Sequence, residues 1–177
     1  MALMFTRLAH NFIKNGYYPT DAASLEGIFN LLKPDEGKMN ILDPCAGEGV
    51  ALAELAHYLG EENVHSFAVE YDRERAIHAR QLVDTCLRAD LMDTIMSRQS
   101  FGLLFLNPPY GDLSKDCSGN FGYEGKGRGR LEKLFYQKSL PSLQYGGILV
   151  LIIPYYVLDD EFVGWITRHL SDVALHK

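Results

Sequence analysis

Three short segments carry residue types suited to binding and chemistry. The tetrapeptide Asn107-Pro-Pro-Tyr110 directly follows an apolar run, Phe101 to Leu106. Its two prolines stiffen the backbone and remove two N–H donors, leaving carbonyls to act as acceptors. Asn107 adds a side-chain acceptor, and Tyr110 adds a flat ring for stacking. The second segment, Asp43-Pro-Cys-Ala-Gly-Glu-Gly49, joins a short apolar run to a helical pattern. Gly47 and Gly49 permit a tight turn that lets a ligand approach the backbone. The segment is neither a full G-x-G-x-x-G nor a phosphate loop with G-K-[ST]. Taken alone it also fits an ordinary glycine turn. The third feature, Glu70, ends the next apolar run about 20 residues later, where α/β cofactor folds place an acid for ribose hydroxyls.

The elements that position these residues alternate between strand and helix. Strands are predicted at 40–43, 64–70, 85–88, 101–106 and 147–153, and a sixth begins at 172–176. Helices are predicted at 3–13, from the Thr20-Asp21 cap through Leu32, and at 48–59, 73–82, 131–143 and 159–170. This alternation predicts an open, mainly parallel α/β sheet covered by helices. Phe101 to Leu106 is apolar throughout, as a strand covered on both faces should be. One domain is expected over residues 1–177, with an N-terminal helical segment at 1–35. Residues 111–130 break the pattern: they are rich in Gly, Ser, Asp and Lys, and are expected to form a mobile glycine-rich loop.

Composition narrows the function. The 177 residues carry a net charge of −6, which is not the footprint of a protein held on nucleic acid by its whole surface. The cysteines at 45, 86 and 117 form no C-x-x-C pair, so neither a zinc site nor a disulfide framework is expected. His57 and His65 show no ligand spacing, and no metal is expected. Trp165, with Phe162, Val163 and Ile166, fits core or interface packing. No apolar run reaches the length of about 18 residues that spans a bilayer. The first residues lack a signal-peptide core, and a cytoplasmic location without membrane contact is expected.

At the level of motifs the chain resembles the S-adenosylmethionine-dependent N6-adenine DNA methyltransferases. Asp43-Pro-Cys-Ala-Gly-Glu-Gly49 resembles their first motif, around the methionine part of the cofactor. Asn107-Pro-Pro-Tyr110 resembles their catalytic motif, and Tyr17-Tyr-Pro-Thr20 their upstream motif, here with Pro before Thr where many members have the reverse. Gly146-Gly147, the following apolar strand and Pro154 also match. The resemblance implies a Rossmann-like methyltransferase fold whose seven-stranded sheet would lack its last strands here. It implies that Tyr18, Pro19, Thr20, Asp43, Pro44, Cys45, Ala46, Gly47, Gly49, Glu70, Tyr71, Asp90, Leu91 and Asn107 hold S-adenosylmethionine. Glu70 would then bind the ribose, and Asp90 the adenine amino group. Asn107, Pro108, Pro109 and Tyr110 would act on a flipped-out adenine, releasing S-adenosylhomocysteine.

No recognition domain fits between Gly49 and Asn107. The order of motifs therefore resembles the group with a C-terminal recognition domain, which would lie outside this chain as a further domain or subunit. Lys126, Arg128, Arg130, Lys133 and Lys138 face only Glu132 in the run 126–138. Lys126, Arg128 and Arg130 are candidates for phosphate contact, with Phe121 and Tyr123 available for stacking; a solvated loop fits equally well. Asn-Pro-Pro-Tyr also resembles RNA guanine-N2 and protein glutamine-N5 methyltransferases, and a cofactor-binding module without activity is an alternative of another class.

Overall fold

The apolar runs become five parallel strands. A computed structural model describes residues 18–34, 36–113 and 129–176. Strands β1 (Met39–Asp43), β2 (Val64–Glu70), β3 (Thr85–Arg88), β4 (Phe101–Leu106) and β5 (Leu143–Leu151) lie in the order β3-β2-β1-β4-β5. Every neighbouring pair is parallel. Helices α1 (Ala22–Phe29), α2 (Val50–Leu59), α3 (Arg73–Leu82), α4 (Leu131–Ser139) and α5 (Asp160–His169) cover the sheet. This is the Rossmann-like methyltransferase fold expected from the alternation and the motifs.

Side-chain alternation along the strands divides the core in two. Ile41, Leu103 and Phe105 pack with Leu25 of α1 and with Leu52, Leu55 and Leu59 of α2. Leu42 and Leu104 turn the other way, against Val69 and Leu143. Leu106 packs with Phe135, Tyr136, Phe162 and Ile166 from α4 and α5. All six residues of β4 are buried, as its unbroken apolar run demands. Trp165 meets Phe162 edge-on at 6.1 Å and belongs to this packing.

Several boundaries differ from expectation: α1 ends at Phe29 where a helix through Leu32 is expected, and α2 starts at Val50 instead of Glu48. The expected helix 131–143 stops at Ser139 because Pro141 cannot continue it, and a 3-10 turn, Leu140–Ser142, follows. The strand expected at 147–153 starts earlier, at Leu143. Its register slips between the pairs Phe101–Leu143 and Leu103–Ile148, and Gly146, at φ 75°, takes up the extra length. The sixth strand, 172–176, does not form: Asp172 sits at φ 53°, in the left-handed region, and breaks the extended chain where that strand would start. The expected helix 3–13, Tyr17, Cys117, Phe121, Tyr123, Lys126 and Arg128 lie outside the described residues.

A buried cation ties α4 to α5. Lys133 is only 3% exposed. Its Nζ donates to Asp159 Oδ2 at 2.7 Å and to Glu161 Oε2 at 3.0 Å, and Asp159 also caps α5 by accepting the Phe162 N–H. Removing the ammonium leaves two facing carboxylates, both still reached by water. Lys133→Ala is therefore expected to lower unfolding stability by about 2 kcal/mol, below the range for a fully buried pair. Urea titration of the variant and the parent measures the difference.

Candidate functional site

The carboxyl ends of the strands carry the candidate residues to one edge of the sheet. β1 ends at Asp43, β2 ends at Glu70, and β4 runs into Asn107. The 3-10 turn after β3 is capped by Asp90. The strand order reverses beside β1, where open α/β sheets leave a ligand crevice. A cleft with a cavity volume of about 200 Å³ opens there. Asp43 to Ala46, Glu70, Tyr71, Asp90 and Leu91 border it, as do Asn107 and Pro109 together with Tyr18, Pro19 and Thr20. Gly47 and Gly49 shape the turn beside the cleft. Arg75 and Phe135 also border it. Arg75, on the first turn of α3, had a signal in its spacing from Glu70; Phe135 had none beyond the apolar stripe of α4.

The glycine turn is braced by buried carboxylates. Gly47 and Gly49 have φ of 58° and 83°, a backbone region that glycine enters without steric cost. A Cβ on Gly49 would lie 3.0 Å from both Cα and Cβ of Ala79 on α3. Glu70 Oε2 accepts the Gly47 N–H at 2.9 Å. Glu70 Oε1 accepts from the Asp72 N–H at 2.7 Å and from Arg75 Nη2 at 2.9 Å. Asp43 Oδ1 accepts the Cys45 N–H at 2.9 Å. Burial pushes the Asp43 carboxyl up to about 7, and the Glu70 charge adds to the effect. Burial, then the charges of Asp43 and Glu70, lift the Cys45 thiol well above its usual range. Cys45 is therefore no thiolate nucleophile; its Sγ donates to the Asn107 carbonyl at 3.2 Å. Burial also raises the Asp90 carboxyl, which accepts the Met92 N–H.

This donor set selects a ligand class. The N–H of Gly47 is already taken by a carboxylate, and Asp43, Glu48, Glu70 and Asp90 all line the cleft. A pyrophosphate would meet repulsion there, whereas a neutral or cationic nucleoside would not. The carboxylates also suit ribose hydroxyls and an amino group as donors.

Asn107 is held from a distant part of the chain. Its Nδ2 donates to the Tyr18 carbonyl and to Thr20 Oγ1, each at 3.0 Å. Its Oδ1 accepts the Tyr110 hydroxyl at 3.0 Å. The Tyr18 and Tyr110 rings stack with centroids 5.5 Å apart and planes 18° from parallel. Burial, and then the nearby Glu132 carboxylate, raise the Tyr110 hydroxyl pKa. The described cations of the basic run turn inward. Arg130 pairs with Asp112 at 3.0 Å and with Glu132 at 2.6 Å. Lys133 serves α5, and Lys138 Nζ donates to the Met92 carbonyl at 2.9 Å.

Among the described residues, no cluster of three or more His, Cys, Asp or Glu is placed to hold a metal ion. Among them, too, no helix is long and apolar enough to cross a membrane.

The model of an uncharacterised methyltransferase family (DUF6094) matches residues 1–177. No curated protein matches the chain. Among solved structures, a putative class I S-adenosylmethionine-dependent methyltransferase from Listeria monocytogenes superposes with TM-score 0.69 and 17% identity, over 91% of this chain and 57% of that one. The methyltransferase subunit of a type I restriction-modification system from Streptococcus thermophilus gives 0.62 and 21%, over 80% and 35%. A methyltransferase from Thiobacillus denitrificans, in complex with S-adenosylhomocysteine, gives 0.50 and 12%, over 80% and 53%. At these identities the likeness is one of fold, and the chain spans little more than half, or less, of each of these structures.

Two outcomes follow from the turn. Gly49→Ala is expected to cost at least about 1–2 kcal/mol, the strain of a left-handed residue with a Cβ, before its contact with Ala79 is counted; chemical denaturation measures it. Asp43 binds its proton more tightly folded than unfolded, where its pKa is 3.8. Its effect on stability is therefore absent below about pH 4, becomes unfavourable as pH rises to about 7, and is constant above. At 1.36 kcal/mol per unit the penalty reaches roughly 4 kcal/mol. Asp43→Asn keeps the acceptor for Cys45 without the charge, so it should raise the melting temperature more at pH 8 than at pH 5, as calorimetry at the two values would show.

Proposed function

The chain belongs to an uncharacterised methyltransferase family, and from that premise we propose that it transfers a methyl group from S-adenosylmethionine to the exocyclic N6 amino group of adenine in DNA. The observation that carries this reading is the fixed amide of Asn107 at the end of β4. Because both Nδ2 protons already have acceptors in Tyr18 and Thr20, the amide keeps its oxygen on the Tyr110 side.

The cleft fits the cofactor. It is ringed by carboxylates, has no free phosphate-binding turn, and sits at the edge where the strand order reverses. When bound, S-adenosylmethionine supplies a sulfonium-activated methyl group. In this reading Glu70 and Asp90, which border the cleft, would meet its ribose and adenine amino group, and Tyr18, Pro19 and Thr20 would cover its methionine end.

The chain's own part is to orient the acceptor. An aromatic amine is a poor nucleophile because its lone pair is delocalised into the ring. Asn107 Oδ1 and the Pro108 carbonyl would each accept one amino N–H, localising the lone pair on nitrogen as it becomes tetrahedral. In a site shielded from water such acceptors act strongly. The Tyr110 hydroxyl, now on Asn107 Oδ1, would give way to the amino group, leaving its ring to stack on the base. A base in a duplex must leave the stack to reach this pocket. The type I restriction-modification subunit among the structures of similar fold is consistent with a DNA substrate and with recognition supplied by a further domain or subunit.

Calorimetric titration with S-adenosylmethionine, followed by radiolabelled transfer to DNA, RNA and protein pools, tests the reading. Transfer to DNA adenine supports it, and transfer only to RNA guanine or a protein amide replaces it. Asn107→Ala is expected to lose at least about 100-fold in kcat at saturating cofactor, the scale for one preorganised charge-stabilising group.

A further inference from the structure

Tyr156, outside the tetrapeptide, is both exposed and held. Tyr156 lies in the 3-10 turn Tyr155–Val157, which follows Pro154 just beyond β5. β5 pairs in parallel with β4, with Leu151 opposite Leu106, so Tyr156 and Asn107-Pro-Pro-Tyr110 emerge on the same edge. Tyr156 is 70% exposed. Even so, the Arg130 guanidinium lies 5.1 Å from its ring centroid, and Arg130 Nη2 donates to its hydroxyl at 3.3 Å. Arg130 is itself fixed, through Nη1 to Asp112 and through Nη2 to the fully buried Glu132. Arg130 also bridges to Asp112 through the backbone, and the adjoining Leu131 N–H donates to the Gly111 carbonyl at 2.9 Å, which ties the Arg130–Tyr156 pair to the end of the tetrapeptide. An exposed ring already held in place loses little freedom when it takes up a ligand. Tyr145 provides the contrast: it lies near the amino end of the same strand and is 99% exposed.

We propose that Tyr156, set by Arg130, is a second aromatic wall of the acceptor pocket and selects a planar nucleobase over an aliphatic amide. This rests on the adenine reading above and adds to it a residue that recognises the acceptor. Two rings, from Tyr110 and Tyr156, offer stacking surface that a base exploits and a glutamine side chain does not. Arg130 then acts as a positioning residue.

The test uses the 177-residue chain and its Tyr156→Ala, Tyr156→Phe and Tyr145→Ala variants. The acceptor is a single-stranded oligodeoxynucleotide containing adenine, supplied with radiolabelled S-adenosylmethionine. Tyr156→Ala is expected to raise the KM for the oligonucleotide about ten-fold, the scale of one base–aromatic stack, with cofactor affinity and melting temperature unchanged. Tyr156→Phe and Tyr145→Ala are expected to match the parent. An unchanged KM in Tyr156→Ala overturns the inference while leaving the adenine reading intact. An equal loss in Tyr156→Phe also overturns it, since the hydroxyl would then carry the effect. If the parent methylates RNA and not the oligonucleotide, the adenine reading fails, and a Tyr156→Ala defect on RNA still supports the stacking wall. Transfer to a protein amide alone, or to nothing, overturns both.

Discussion

A primary amide can turn end for end, and at Asn107 that freedom is removed by residues 87 and 89 positions earlier. Thr20 Oγ1 and the Tyr18 carbonyl take both N–H groups, so the amide oxygen has one direction left. That direction has meaning only because β4 is pinned between β1 and β5 and buried over its whole length. The apolar core thus sets the position of Asn107, and the upstream segment sets its orientation. The Tyr18–Tyr110 stack brings the same two segments together a second time.

The cofactor end follows a different rule. There, carboxylates hold backbone N–H groups and a guanidinium, with Glu70 alone joining Gly47, Asp72 and Arg75. Such bonds are short and charge-assisted, and they keep a left-handed glycine turn open beside the N-terminus of α2. The accumulated negative charge separates this cleft from the phosphate-binding turns of other α/β folds. Burial, with a smaller push from Glu70, also leaves Asp43 with a carboxyl that ionises reluctantly, so the geometry of the turn carries a cost in stability at neutral pH and above.

Charge outside the cleft is arranged by packing. The run from 126 to 138 looks basic along the chain, but its three described cations between Arg130 and Lys138 face carboxylates or a carbonyl. Arg130 orders Tyr156 at the edge of the site, and Lys133 docks α5. A single helix, α4, thereby connects the wall of the pocket with the core behind it.

The sequence by itself determined the parallel α/β class, four of the five strands to within a residue or so, the glycine turn and the tetrapeptide. These are local: apolar periodicity marks a strand, a glycine marks a left-handed turn, and two prolines mark a stiff acceptor segment whatever lies nearby. Where a single residue's backbone decided the outcome, as at Pro141 and Asp172, expected elements ended early or failed to form. Only the tertiary structure decided that Thr20 orients Asn107, that Glu70 braces the turn it faces, and that Arg130 points at Tyr156. Each of these pairs spans 23 to 87 residues, and a hydrogen bond forms between groups that packing brings within 3 Å or so, a distance that spacing along the chain does not encode.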